Sequence, residues 1–223
     1  MEAHRPSLLQ AQERLFDQLM QNSRYSEAKQ VLAEIKKISG QETFPYGSQM
    51  RLSMAVGEFG EAASTAVEIL SQNSPVEGVS RFHLADALVL AFQPVESLGI
   101  QAPDIRSDLA NILNALEHIS QSDWNAALGF MKSIGLKSLF IHWKWFIKSL
   151  CAFHTHQDEK ARQGFSRIDP QSVPAKAAKA YLLLLEEPNG NEDLSKSPHV
   201  FQHACELALN SIPGEVLARA DYL

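Results

Sequence analysis

Ser23-Arg24-Tyr25-Ser26-Glu27-Ala28 is echoed 34 residues later by Gly57-Glu58-Phe59-Gly60-Glu61-Ala62. Further along, Ser122-Asp123-Trp124-Asn125-Ala126-Ala127 is echoed, again after 34 residues, by His156-Gln157-Asp158-Glu159-Lys160-Ala161. In each segment a breaker residue comes first and an alanine stands five positions on. Three of the four place an aromatic residue between them. A fixed period of this length predicts stacked helix pairs, each unable to bury its apolar face alone.

The surrounding sequence fits that reading. Leu8, Leu15, Phe16 and Leu19 recur at helical spacing over 7–21, with Ser7 placed to cap the helix after Pro6. A second helix over 26–39 carries Ala28, Val31, Leu32, Ile35 and Ile38 on one face, and Gly40 stops it. So short a connection forces the two to pack antiparallel. The next pair reads as 43–56 and 60–72, with Gly57 as the break and Pro75 as the close. A helix over 76–92 follows, and Pro94 forbids its continuation, leaving 93–103 room for a short helical turn only. Ala62 and Ala127 are 65 residues apart, which leaves about 31 after one full period, so the third unit is abbreviated.

Beyond it the helices are expected at 105–120 and 123–134, with Asp123 as a cap, then at 138–155 and 158–168, ended by Asp169-Pro170. A helix over 174–186, a polar loop over 188–197, a return helix over 198–210 and a short helix over 214–222 complete the chain. Alternating apolar and polar runs are missing, so the fold class is all-α. The organisation is one helical array over 1–223: repeats in 7–73, an irregular unit in 76–103, two repeats in 104–170 and capping helices in 171–223.

The four echoed segments resemble tetratricopeptide repeats. That family's close-approach alanine is matched by Ala28, Ala62, Ala127 and Ala161, and its aromatic near the break by Tyr25, Phe59 and Trp124, with Asp158 as the departure. The larger apolar residue four positions on is matched by Leu32, Met131 and Phe165, and weakly by Ala66. Ile35, Ile69, Ile134 and Ile168 fall in register one turn further on. The family's Leu-Gly or Leu-Ala pair in the first helix is replaced by Leu15-Phe16, Gln49-Met50, Asn114-Ala115 and Lys148-Ser149, so the repeats are degenerate. The resemblance covers 7–73 and 105–170 directly, roughly 60% of the chain.

What it implies is a right-handed superhelix of about five to six helix pairs acting as a non-enzymatic interaction scaffold or adaptor. The first helices of the pairs would line a concave groove for a peptide or helix of another protein. Helical spacing would then turn inward Arg51 and Met54, Leu109, Ile112 and Leu116, and Trp143, Phe146, Leu150 and His154. Residues 139–153 are apolar almost all round, which predicts either burial on several sides or a hydrophobic trough in which Trp143 and Phe146 hold an apolar partner segment. The Lys, Asn and Arg set with which some family members clasp a terminal carboxylate is missing. Two further readings remain open: self-association as a homodimer through the apolar second half, and weak binding of single-stranded nucleic acid by Lys144 and Lys148 beside Trp143 and Trp145.

Composition narrows these options. The 223 residues carry a net charge of −6, which argues against nucleic acid and anionic membranes as partners. The charge is uneven: residues 123–180 hold nine Lys/Arg against four Asp/Glu, and 181–223 hold two against seven. The two cysteines, Cys151 and Cys205, lie in apolar helical patterns and are too few for a disulfide framework or a zinc cluster. No apolar run of about 18 residues suggests a membrane span. The opening Met1-Glu2-Ala3-His4-Arg5 is unlike a signal peptide, so a cytoplasmic location is expected. His199 and His203 stand one helical turn apart without a third ligand, so no metal is expected, and His154 and His156 flank a helix end. No phosphate loop, dinucleotide fingerprint or nucleophile elbow occurs, so neither a cofactor nor a catalytic residue is assigned.

Overall fold

The structure, a computed structural model, describes residues 5–39, 45–72 and 79–186. The expected stop at Gly40, the close at Pro75, the loop 188–197 and the helices 198–210 and 214–222 all lie outside these residues, as do His199, His203 and Cys205, whereas the helices expected from 43 and 76 begin later, at Tyr46 and Arg81. Among the described residues the chain is all-helical, without strands. The helices are α1 (Arg5–Gln21), α2 (Tyr25–Ser39), α3 (Tyr46–Ala55), α4 (Phe59–Ser71), α5 (Arg81–Leu90), α6 (Pro103–Ser120), α7 (Trp124–Phe130), α8 (Ile141–His154), α9 (Asp158–Phe165) and α10 (Val173–Glu186). In the abbreviated third unit a 3₁₀ turn over Val95–Leu98 follows Pro94 and ends at Gly99, which is left-handed at φ 68°.

The closest packing is within α1–α2, α3–α4, α6–α7 and α8–α9, the pairs that the echoed segments join. All four breaker residues adopt the left-handed conformation: Ser23 at φ 55°, Gly57 at 78°, Ser122 at 59° and His156 at 58°. Each turn is closed by one backbone bond reaching five residues back. The N–H groups of Arg24, Glu58, Asp123 and Gln157 donate to the carbonyls of Leu19, Ser53, His118 and Ala152 at 2.9, 2.8, 2.9 and 2.8 Å. This is the geometry by which a left-handed residue satisfies the carbonyls left over at a helix end. Four residues after each closing donor, Ala28, Ala62, Ala127 and Ala161 are fully buried, and their single methyl groups set the close approach of the paired helices.

Local chemistry moves several boundaries. Ser7 lies inside α1 (Arg5–Gln21) and is not its cap. Asp123 does cap α7, its carboxylate accepting from the N–H of Ala126 at 3.1 Å. Helix α7 ends at Phe130 rather than 134, yet Met131 and Ile134 remain buried because the chain continues through tight turns. Ser133 Oγ donates to the carbonyl of Phe130 at 3.0 Å, and Lys144 Nζ to that of Ile134. Helix α9 likewise ends at Phe165, with Ile168 turned inward beyond it.

The core has two parts. Phe16, Leu19, Ala28, Leu32 and Ile35 of the first pair, with Leu52 of α3, form a small cluster. The large one runs unbroken from Met50 of α3 to Leu184 of α10. Helix α8 lies at its centre, packed against α6, α7, α9 and α10. None of the helices is long and apolar enough to cross a membrane among the described residues.

The shared turn makes a direct prediction. A non-glycine residue in the left-handed region is strained by about 1 kcal/mol or more, partly offset by the extra freedom glycine has when unfolded. Ser122→Gly is therefore expected to stabilise the fold by roughly 0.5–1 kcal/mol, and Gly57→Ala to destabilise it by about 1 kcal/mol, both read from urea unfolding midpoints.

Candidate functional site

The nine residues expected to face a groove are mostly core. Leu109, Ile112 and Leu116 of α6 are completely covered, and Trp143 and Phe146 of α8 are only 6% and 8% exposed. Leu150 is buried beside them. These six do not line an open concave face, contrary to the expectation from helical spacing. Helical spacing finds an apolar stripe, but in this array the neighbouring helices cover it. Phe146 meets Trp143 edge-on at 6.2 Å between ring centres, and also contacts Phe165 and Tyr181, at 6.0 and 6.4 Å. Met54 is half-buried against the large cluster. Arg51 is exposed, but its guanidinium pairs with Asp17 at 2.9 Å and lies over the Phe16 ring. That pair joins residues one full period apart, and its exposure limits its contribution to under about 1 kcal/mol. His154 reaches the surface with its ring stacked flat on Trp124, 4.4 Å between centres.

Trp143 is buried because its indole N–H has a partner. It donates to Asp86 Oδ1 at 2.8 Å, and Asp86 Oδ2 accepts the N–H of Val173, the first residue of α10, at the same distance. One carboxylate, itself only 1% exposed, thus fastens α5 to α8 and caps α10. Burial pushes its carboxyl up to about 7, against the pull of these two bonds and of Lys176, while Asp169 adds to the rise. Sequence reading passed over Asp86. The available signal was a lone acid within Leu84-Ala85-Asp86-Ala87-Leu88, where a solvated face would be polar on both sides. Cys151, fully buried in α8, has its thiol raised to about 11 by burial, which makes it unreactive.

The other side of α8 opens on a cleft. Trp145, Lys148, Ser149 and Ala152 of α8, Leu128 of α7, Thr155 and Gln157 of the turn, and Lys160, Gln163, Gly164 and Arg167 on the α9 side enclose about 380 Å³. Arg167 and Lys148 both lie against the Trp145 ring, 4.8 and 5.4 Å from its centre. Lys160 Nζ donates to Gln157 Oε1 at 2.7 Å. Ser149 Oγ is buried without a hydrogen-bond partner. It rests against Gly164, where a β-carbon would come within 1.9 Å of it. The basic and aromatic residues grouped by sequence are therefore divided. Trp143 goes to the core, Lys144 to the carbonyl of Ile134, and Trp145 with Lys148 stays in the cleft. Arg167 was not foreseen there, since it follows Trp145 by 22 residues.

Among the described residues no group of three or more His, Cys, Asp or Glu side chains is placed to hold a metal ion. Comparison with protein-family models, with curated proteins and with solved structures found no match to this chain.

Asp86 gives the protein a distinctive response to pH. Below about pH 4 its carboxyl is protonated in both folded and unfolded chains. Between about 4 and 7 the unfolded chain has lost that proton while the folded one keeps it, so stability falls as pH rises, by up to about 1.4 kcal/mol per unit. Above about 7 the loss is complete. Burial holds His83 and His142 below the ordinary histidine value, which gives the opposite slope near pH 6.5. The difference between the unfolding curves of the native chain and Asp86→Asn isolates the carboxylate, and it should fall across that window and then level off.

Proposed function

We propose that this chain is a non-enzymatic scaffold of tetratricopeptide-like hairpins, coiled as a right-handed superhelix, that works in the cytoplasm by holding a segment of another protein. The observation that carries the reading is the fourfold recurrence of one turn, with the same left-handed residue and the same closing bond, at Ser23, Gly57, Ser122 and His156. Recurrence of that kind belongs to arrays in which each unit supports its neighbours and the accumulated surface is the working part. The distribution of polar side chains supports it further. Helix α8 places Trp143, Phe146 and Leu150 in the interior while leaving Trp145 and Lys148 at an open cleft.

The partner is held on the outer surface of α7, α8 and α9, not in the groove expected from α6 and α8, whose side chains are used inside the fold. The apolar second half is consumed in the same way, which removes the feature that favoured a homodimer. Among the described residues the exposed large apolar side chains are Leu8, Leu15, Phe92, Leu136 and Leu183, spread over α1, two connections and α10.

The expected result is a monomer of 24.8 kDa by sedimentation, which in native extracts co-elutes with a partner in fixed stoichiometry through successive columns. A chain that elutes alone in every fraction after cross-linking, or that sediments as a dimer, contradicts the reading.

A further inference from the structure

Resting on the scaffold reading above, we propose that the cleft between α7, α8 and α9 takes an acid-rich segment of a partner protein, whose side-chain carboxylates meet Lys148, Lys160 and Arg167. Four features of the cleft lead there. The first is charge. Three cations line it and no carboxylate does, so an entering anion meets positive charge with no acid in the lining to compete for it. Glu159, the nearest acid along α9, is turned to Arg162 and Gln163, at 2.8 Å from each.

The second feature is preorganisation. Lysine and arginine lose much rotamer freedom when they bind a ligand, and contact with an indole face removes part of that loss in advance. Lys148 and Arg167 are both held against Trp145 in this way. Arg167 then presents a planar fork suited to a carboxylate.

The third feature is close packing along one side. Ser149 and Gly164 both line the cleft, and Ser149 Oγ is seated where a β-carbon on residue 164 would stand, so the glycine lets α8 and α9 approach closely there.

The fourth feature is size. About 380 Å³ lies near the lower end of the range for ligand sites, suited to a few side chains of a peptide.

The same geometry disfavours single-stranded nucleic acid. A base would stack on Trp145, but two cations already occupy that ring. The chain's net charge of −6 also opposes a polyanion, whereas a short acidic peptide brings few charges and meets only the local excess of cations.

The test measures fluorescence anisotropy of a short labelled peptide alternating Glu and Asp with Leu and Ala, against the full-length chain. Its controls are the same peptide with Gln and Asn in place of the acids, and oligo-dT. The acidic peptide is expected to bind at least about ten-fold more tightly than its amide counterpart, and more weakly as salt rises. Lys148→Glu with Arg167→Glu should weaken it by about ten-fold or more. Lys160→Glu, which leaves the Trp145 contacts intact, should act in the same direction. Lys132→Glu with Lys137→Glu, exposed on the 131–140 segment outside the cleft, should leave binding unchanged. Thermal unfolding of each variant confirms that the fold persists.

Equal binding of acidic and amide peptides, native affinity in the cleft variants, or tighter binding of oligo-dT overturns the proposal. None of these outcomes touches the scaffold reading, which stands or falls on recovery of a stoichiometric partner. If Lys148→Glu with Arg167→Glu still recovers that partner, the scaffold reading holds and the cleft assignment fails.

Discussion

The spacing of paired helices depends on how the chain reverses between them, and here one backbone solution is used four times. A left-handed residue turns the chain after the first helix, and the next N–H closes on a carbonyl five residues back. That bond fixes the direction in which the second helix leaves. Four residues later the backbones are so close that only a methyl group fits, and an alanine stands there each time. The turn and the alanine act together: a larger residue would push the helices apart, and a different turn would bring another face to the contact. Much of the chain's regularity follows from this local constraint. It also explains why serine and histidine are tolerated at three of the four breakers, since their strain of about 1 kcal/mol is small beside the packing the turn secures.

A purely local rule does not make a continuous core, and the second half uses a different device. Asp86 reaches across 57 residues of sequence to Trp143 and across 87 to Val173. It ties the helix after the second repeat to the centre of the fifth pair and to the start of α10. Around it Trp143, Phe146, Phe165 and Tyr181 pack ring against ring, with Phe165 and Tyr181 stacked 5.3 Å apart. The tie is polar in an apolar setting, so it is directional where the ring contacts are not. Its effect is to select one arrangement of α5, α8 and α10 among those that hydrophobic packing alone would permit.

The contrast between these devices explains what could be read from sequence. The turns and alanines were legible because cause and effect lie within six residues of each other. The helix ends at Phe130 and Phe165 were less so, because apolar spacing continues past them to Ile134 and Ile168 while the backbone has already tightened. The destinations of Trp143 and Leu109 were illegible for another reason: an apolar stripe looks the same whether it will meet the chain itself or another molecule. Asp86 and Arg167 depend on partners brought near only by folding. A lone buried acid and a cation beside a distant indole each resemble ordinary surface charge until the helices are assembled.

The boundary between the two cores runs through α3. Leu52 faces the first pair, while Met50, two residues earlier, belongs to the larger cluster. Among the described residues the first pair packs through a handful of apolar side chains, with Leu52 of α3 beside them. In a stack held by nearest-neighbour contacts, a unit with so small a core would open at a free energy below that of global unfolding. Amide protons of α1 and α2 would then exchange with solvent through a partial opening in which α8 takes no part. Exchange measured residue by residue would separate a slowly opening body, built around Asp86 and the aromatic cluster, from a first hairpin that opens sooner.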